Sequence, residues 1–231
     1  MKKSKKYKLN LKSIEPNKLY SVNEGVDILK KQKSSKFDET VEVSINLGVE
    51  PKKSDQMVRG TVALPHGTGK EVKVLVFCKP PKDKEAKEAG ADMVGLDEYI
   101  EKIQKGWCET DVVVATPDVM KDVGKLGKFL GPKGLMPNPK AGTVTNDISQ
   151  AVKQLKAGRI EFRVDKYGII HTVAGKCSFT AQQLIDNLKA LMQEVMRLRP
   201  ASAKGLYLKG ITLSSTMGPG IKLDSSSLIR K

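Results

Sequence analysis

The segment SSTMGPG, residues 214 to 220, sets three small hydroxyl residues, a methionine and two glycines around a proline. Ser215 and Thr216 can donate to and accept from a sugar hydroxyl, Met217 offers a soft apolar contact, and Gly218 permits close backbone approach or positive φ. The same residue types also build an ordinary hairpin turn, and composition alone leaves both readings open. A second candidate is KFDETVEV, residues 36 to 43, where Lys36, Phe37 and Thr40 stand at the entrance of a strand that carries Glu42 on its wet face. Phe37 could stack on a base and Glu42 could accept from an amino group or a 2′-hydroxyl; alternatively, Phe37 is simply the last core residue before the strand. A third is LGPKGLMPNPKAGT, residues 130 to 143, in which backbone N–H groups, Lys133 and Lys140 could meet phosphates and Met136 could lie on a base or sugar. Its alternative is a long connection whose Leu135 and Met136 tuck into a core.

Other chemistry fails on spacing. A phosphate-binding P-loop needs G-x-x-x-x-G-K-[ST], but HGTGKE has Glu71 in place of the hydroxyl and Leu64 in place of the first glycine. Phe129 breaks GKLGKFLG in the same way, and Val72 follows Gly67 and Gly69 where a dinucleotide fingerprint needs its third glycine nearby. His66 and His171 have no cysteine or carboxylate at ligand spacing, and no serine occupies a nucleophile elbow. A rival reading, an enzyme acting on a phosphorylated metabolite, therefore lacks a base, a nucleophile and a metal set. No cofactor is expected.

The elements that must hold these segments follow from periodicity. SVNEGVDILKKQKS opens with Ser21 and Glu24 at capping-box spacing and puts Val22, Val26 and Leu29 on one helical face. VEVSINLGV alternates strictly, with Val41, Val43, Ile45, Leu47 and Val49 on one side and Glu42, Ser44 and Asn46 on the other. QMVRGTVALP reads as a further strand. RIEFRV and IIHTVAG read as a hairpin turned by DKYG, and GLYLKGITL as the last strand. Between the last two lies a long helix capped by Thr180 and Gln183 and carrying Leu184, Leu188, Leu191 and Val195. In the middle of the chain the pattern changes. VKVLVF, ADMVG and DVVVAT are continuous apolar runs separated by helical, charge-rich segments, which indicates strands buried on both faces of a parallel sheet. Thr116 with Pro117 reads as a helix N-cap, and NDISQAVKQLKAG as a helix ending at Gly158.

Antiparallel signals at both ends and a parallel signal between them predict an α/β chain of two domains. Residues 1–67 plus 159–231 would form an α+β domain with an antiparallel sheet built from both termini, and 68–158 an inserted doubly wound parallel α/β domain. Chain crossings near 66–70 and 156–160 would form a hinge.

Composition names the partner class. The 231 residues carry a formal net charge of +15, and only six of the 41 basic residues are arginine. A polyanion partner contacted by lysine point charges is the reading that such an excess favours over a merely soluble surface. The lysine-rich start, MKKSKKYKLN, reads as a flexible arm or a solvated first turn. It lacks the apolar core of a signal peptide, and no stretch is apolar enough for a membrane span, so a cytosolic protein is expected. Cys78, Cys108 and Cys177 have no C-x-x-C pairing and read as small buried hydrophobes.

Taken in order, KFDETVEVSINLGV, RGTVALPHGTGK, LGPKGLMPNPKAGTV, KYGIIHTVAGK and SSTMGPG resemble the ribosomal protein L-one family, in its bacterial form, over about Tyr20 to Asp224. The resemblance implies binding to the ribosomal RNA of the mobile stalk of the large subunit, beside the tRNA exit site. It implies help in releasing deacylated tRNA and repression of the protein's own operon through a similar mRNA site. It also implies a cytoplasmic, ribosome-bound protein that is a monomer when free. Family contact positions carry over as Lys36, Phe37, Thr40, Glu42, Thr216, Met217 and Gly218, together with Lys166 and His171 in the DKYG region and Lys133 and Lys140 in the middle loop. A DNA-binding architectural protein is the remaining alternative.

Overall fold

The computed structural model describes residues 4–16, 18–32, 35–80 and 82–226, with the side chain of Lys140 outside that description. Of the lysine-rich start, Lys2 and Lys3 also lie outside the described residues. The chain divides into two compact units, one of residues 1–69 and 160–231 and one of residues 70–159.

The first unit contains α1 (Lys5–Lys12), α2 (Val22–Lys31), β1 (Thr40–Leu47) and β2 (Arg59–Ala63). The second contains β3 (Val74–Phe77), α3 (Lys82–Glu88), β4 (Met93–Val94), α4 (Asp97–Gln104), β5 (Val112–Ala115), α5 (Met120–Gly124), α6 (Gly127–Leu130) and α7 (Ile148–Lys156). The chain then returns through β6 (Arg159–Arg163), β7 (Ile169–Lys176), α8 (Ala181–Arg197), β8 (Leu208–Ser215) and β9 (Ile221–Leu223).

In the first unit an antiparallel sheet runs in the order β7-β1-β8-β9, so its centre joins strands from opposite ends of the chain. Alternation in β1 buries Val41, Val43, Ile45 and Leu47 and leaves Glu42 and Asn46 in solvent. The covered face packs against α2 and α8, both of which begin with complete capping boxes, Ser21 with Glu24 and Thr180 with Gln183. Leu184, Leu188, Leu191 and Val195 of α8 are wholly buried, each contributing about 2 kcal/mol by leaving water.

Asn187 lies on this same buried face and is wholly buried itself. Its amide donates to the carbonyls of Ala174 (2.8 Å) and Gly67 (3.0 Å), and its oxygen accepts from the His66 N–H (3.1 Å). One side chain thus ties the PHGTGK turn to β7.

Three local expectations change. RIEFRV and IIHTVAG do not form a hairpin: β6 pairs with β2 in a separate two-stranded sheet, β7 pairs with β1, and only a bridge between Val164 and Ile170 links them. Each run found a longer or better-placed partner elsewhere in the chain, which local patterning cannot reveal. The lysine-rich start is neither an arm nor a single turn from Ser4 onward. It forms α1, N-capped by Ser4 and joined to the end of α2 by reciprocal bonds between Asn10 and Gln32. Thr116 precedes a short 3-10 turn at Pro117–Val119 but makes no side-chain cap bond, being buried itself.

The second unit has a parallel sheet in the order β4-β3-β5, with every residue of β3 buried. Val74, Val76 and Val114 meet Ile148, Val152 and Leu155 of α7 on one face. On the other, Leu75, Phe77 and Val113 meet Ile103, Val123, Leu126 and Leu130. Cys78 is buried beside Asp83, and burial with that carboxylate pushes its thiol up to about 12. Cys108 departs from expectation in being only partly buried.

Candidate nucleic-acid interface

β1 positions the site. Because alternate residues of this strand serve the core, Thr40, Glu42, Ser44 and Asn46 share the open face. Register brings Lys176 of β7 opposite Thr40 and His171 opposite Ser44, while β8 sets Ser214 opposite Glu42 and Thr212 opposite Ser44. The open face therefore sets the hydroxyls of Thr40, Ser44, Thr212 and Ser214 among charged groups, with Glu42 and Lys176 near one end and Lys222 of β9 opposite Thr212.

The chain leaves β8 at the end where β1 begins, and there SSTMGPG closes on Thr40. The Thr216 N–H donates to the Thr40 carbonyl (3.1 Å), the Thr40 N–H donates to Thr216 Oγ1 (3.0 Å), and that hydroxyl donates back to the Thr40 carbonyl (3.3 Å). Lys176 Nζ donates to Thr40 Oγ1 (2.8 Å), adding a cation that sequence reading had not singled out. The Gly218 N–H donates to the Ser215 carbonyl (3.0 Å). Gly218 does not have positive φ; its need is for space, since a Cβ there would lie 2.5 Å from Ser215 Oγ. Ser215 corrects a second expectation. It is only 6% exposed and turns inward, so it offers nothing to a sugar hydroxyl.

Ser215 turns toward Glu39, a residue that sequence reading passed over. Glu39 is wholly buried one step before β1. One carboxylate oxygen accepts from the N–H and the hydroxyl of Ser35, the other accepts from the Met217 N–H (3.2 Å), and Ser215 adds a side-chain bond. Burial alone would push this carboxyl up, but the hydrogen bonds from Ser215, Ser35 and Met217 outweigh it and hold it below the ordinary glutamate value. A signal for it was available. Counting back by two from Val41 puts position 39 on the core face, where a carboxylate must find donors.

The structure thus gathers Thr40, Glu42, Thr216, Met217 and Gly218 at one end of the sheet, with Lys36 and Phe37 exposed on the segment just before β1. Phe37 is 53% exposed and Met217 57%, so neither serves as a core residue. His171 stands farther along the open face, its Nδ1 3.2 Å from Ser44 Oγ and its Nε2 3.5 Å from Asp165. Lys166 is exposed on the turn at the far end of β7, about 20 Å of strand from Thr40. Asp165 holds that turn by accepting from the Ile169 and Tyr167 N–H groups (2.8 Å each). The Ile169 bond is the largest cause holding its carboxyl below the usual aspartate range.

Of the third candidate loop, Lys133 is exposed, but Leu135 and Met136 pack against the core of the second unit. Met136 is thereby removed as a contact for a base, and the structural reading of that stretch holds for its apolar residues. Among the described residues no cluster of His, Cys, Asp and Glu could hold a metal ion, and no helix is long and apolar enough to cross a membrane.

Comparison with known proteins gives a consistent picture. Residues 29–219 match the family described as Ribosomal protein L1p/L10e. The large ribosomal subunit protein uL1 of Porphyromonas gingivalis is 53% identical over 227 residues, 98% of this chain and 98% of its own length. That of Protochlamydia amoebophila is 56% identical over 221 residues, 96% of this chain and 94% of its own. A family match across most of the chain, with relatives above half identity at almost full length, places this two-unit protein in the Ribosomal protein L1p/L10e family.

Proposed function

We propose that this chain is a structural component of the large ribosomal subunit, not an enzyme, and that it binds ribosomal RNA through the sheet end where Thr40, Glu42 and SSTMGPG meet. One observation carries the reading. Two large apolar side chains, Phe37 and Met217, stand more than half exposed on the two segments that Glu39 ties together, beside the hydroxyl-bearing face. Such a surface suits folded RNA. The deep groove of an A-form helix excludes side chains, so recognition runs through shape, unstacked bases and 2′-hydroxyls. Lysine charges elsewhere on the chain supply sequence-independent affinity.

Within that reading, the RNA is the stalk region near the tRNA exit site, the protein assists departure of deacylated tRNA, and a similar mRNA site lets it repress its own operon. The protein works in the cytoplasm on the ribosome and is a monomer when free. Lys166 and His171 extend the contact along the open face, and Lys133 and Lys140 add contacts from the second unit. These finer statements rest on family resemblance and on the exposure of Lys166, His171 and Lys133.

The deciding measurement is competition of a stalk-like folded RNA against duplex DNA across a salt series. RNA binding is expected to weaken as salt rises while the preference for RNA over DNA persists, because counterion release governs affinity and loop contacts govern choice. Equal competition by duplex DNA at every salt concentration would instead favour the architectural DNA-binding reading.

The two units also make a separable prediction, resting on the proposal that residues 1–67 and 159–231 form one folding domain. A chain joining these two segments by a short linker is expected to fold and to keep most of the RNA affinity. Absence of folded signal in circular dichroism would overturn that domain assignment.

A further inference from the structure

Two segments that present the RNA-facing groups come from opposite ends of the chain, and neither is regular secondary structure. Residues 35–38 precede β1, and residues 216–218 follow β8. Loops of this kind are ordinarily the most mobile parts of a fold, and mobility at a recognition site lowers affinity because ordering must accompany binding. Here both loops are fastened to one buried group.

We propose that Glu39 is a positioning residue for RNA recognition, its carboxylate coupling the Ser35–Asp38 segment to the Thr216–Gly218 segment so that Phe37 and Met217 are presented in one fixed arrangement. The proposal rests on the RNA-binding reading above and names what prepares that site.

The geometry supports it in three ways. Glu39 is wholly buried, so it acts on RNA only through its neighbours. Its two oxygens divide between the loops, with Oε1 accepting from the Ser35 N–H (3.1 Å) and from the Ser35 hydroxyl, and Oε2 accepting from the Met217 N–H (3.2 Å). Its own carbonyl accepts from the Cys177 N–H (2.9 Å), which fixes the carboxylate's root to the end of β7. A carboxylate suits the place because it accepts at both oxygens and donates at neither. The consequence for the site is specific: the Met217 N–H is occupied, so Met217 meets RNA through its side chain.

Glutamine tests this because it keeps shape and size but turns one acceptor into a donor. In Glu39→Gln either the Ser35 donors or the Met217 N–H must face an NH2 group, and that loop loses its tie to position 39, keeping only its other anchors, Asp38 to Ser178 or Thr216 to Thr40. Affinity for the stalk-like RNA is expected to fall about tenfold or more, as for loss of charge-assisted bonds to one loop. The slope of log affinity against log salt should stay unchanged, since no phosphate contact is removed. The discriminating measurement is a double-mutant cycle with Met217→Ala. If Glu39 acts by placing Met217, Glu39→Gln should cost much less in the Met217→Ala background; additive losses would overturn the proposal.

Should Glu39→Gln not fold, Ser35→Ala replaces it, because it removes one donor at an accessible position and leaves the carboxylate paired. It should show the same non-additivity with Met217→Ala although Ser35 and Met217 belong to different loops. A folded Glu39→Gln chain that binds the RNA like the parent overturns the positioning role alone. Failure of the parent to bind the RNA overturns the underlying function.

Discussion

Met217→Asp is expected to weaken binding of a stalk-like RNA by about 100-fold, with little change in thermal stability. Met217 is 57% exposed, and its segment is held by the backbone N–H groups of Thr216, Met217 and Gly218 and by the Thr216 hydroxyl, so the fold does not depend on the Met217 side chain. Binding does on two counts. A thioether lying on a base contributes roughly 0.3–1.5 kcal/mol, and a carboxylate in its place would face phosphates, a like-charge contact that costs up to several kcal/mol, so the two together reach about two factors of ten. Thr216→Ala should be the milder partner of this change, because it removes the hydroxyl that latches Thr40 without introducing charge. Both should exceed the effect of removing a single lysine such as Lys8, which contributes one exposed point charge among many. Titrations at one salt concentration are sufficient. If the two loop variants bound like the parent while the lysine variant lost binding, the loop would not be the recognition element.

Asn187→Leu is expected to cost about 3 kcal/mol or more in stability, because it leaves the His66 N–H and the carbonyls of Gly67 and Ala174 without their partner. A melting transition lowered by roughly 10 °C corresponds to that loss. The chain allows a clean assignment. Its single tryptophan, Trp107, belongs to the second unit, whereas Asn187 belongs to the first. The circular-dichroism transition of the helices in the first unit should shift while the fluorescence transition of Trp107 stays in place. Gln182→Ala, on the exposed side of the same helix, serves as control and should change stability by less than about 0.5 kcal/mol. A melt of Asn187→Leu within that margin would mean that solvent reaches these groups and replaces the side chain.

Periodicity carried much of the fold. The strict alternation of residues 41–47 gave a half-exposed strand, and the unbroken apolar runs at 74–77 and 112–115 gave a parallel sheet buried on both faces. The capping boxes at Ser21 and Thr180 marked helix starts, because both partners of each box lie within four residues. Pairing was less legible. The apparent hairpin of RIEFRV and IIHTVAG separated into two sheets, since alternation tells which face a strand buries but not which strand lies beside it.

Within the site, the sequence by itself determined which residue types stand near strand ends: Phe37 and Thr40 before or at β1, Glu42 on its wet face, and Thr216, Met217 and Gly218 after β8. These follow from neighbours in the chain. Only the tertiary structure decided that the two groups meet, that Ser215 turns inward rather than outward, and that Met136 belongs to a core. It alone revealed Glu39 and Asn187 as the polar centres on which loops from distant segments converge. The physical reason is that a buried polar group is defined by its partners. A local pattern can show that position 39 or 187 faces the core, but each needs, besides nearer partners such as Ser35 and Ala174, a donor or acceptor from a segment more than a hundred residues away, Met217 for Glu39 and His66 and Gly67 for Asn187.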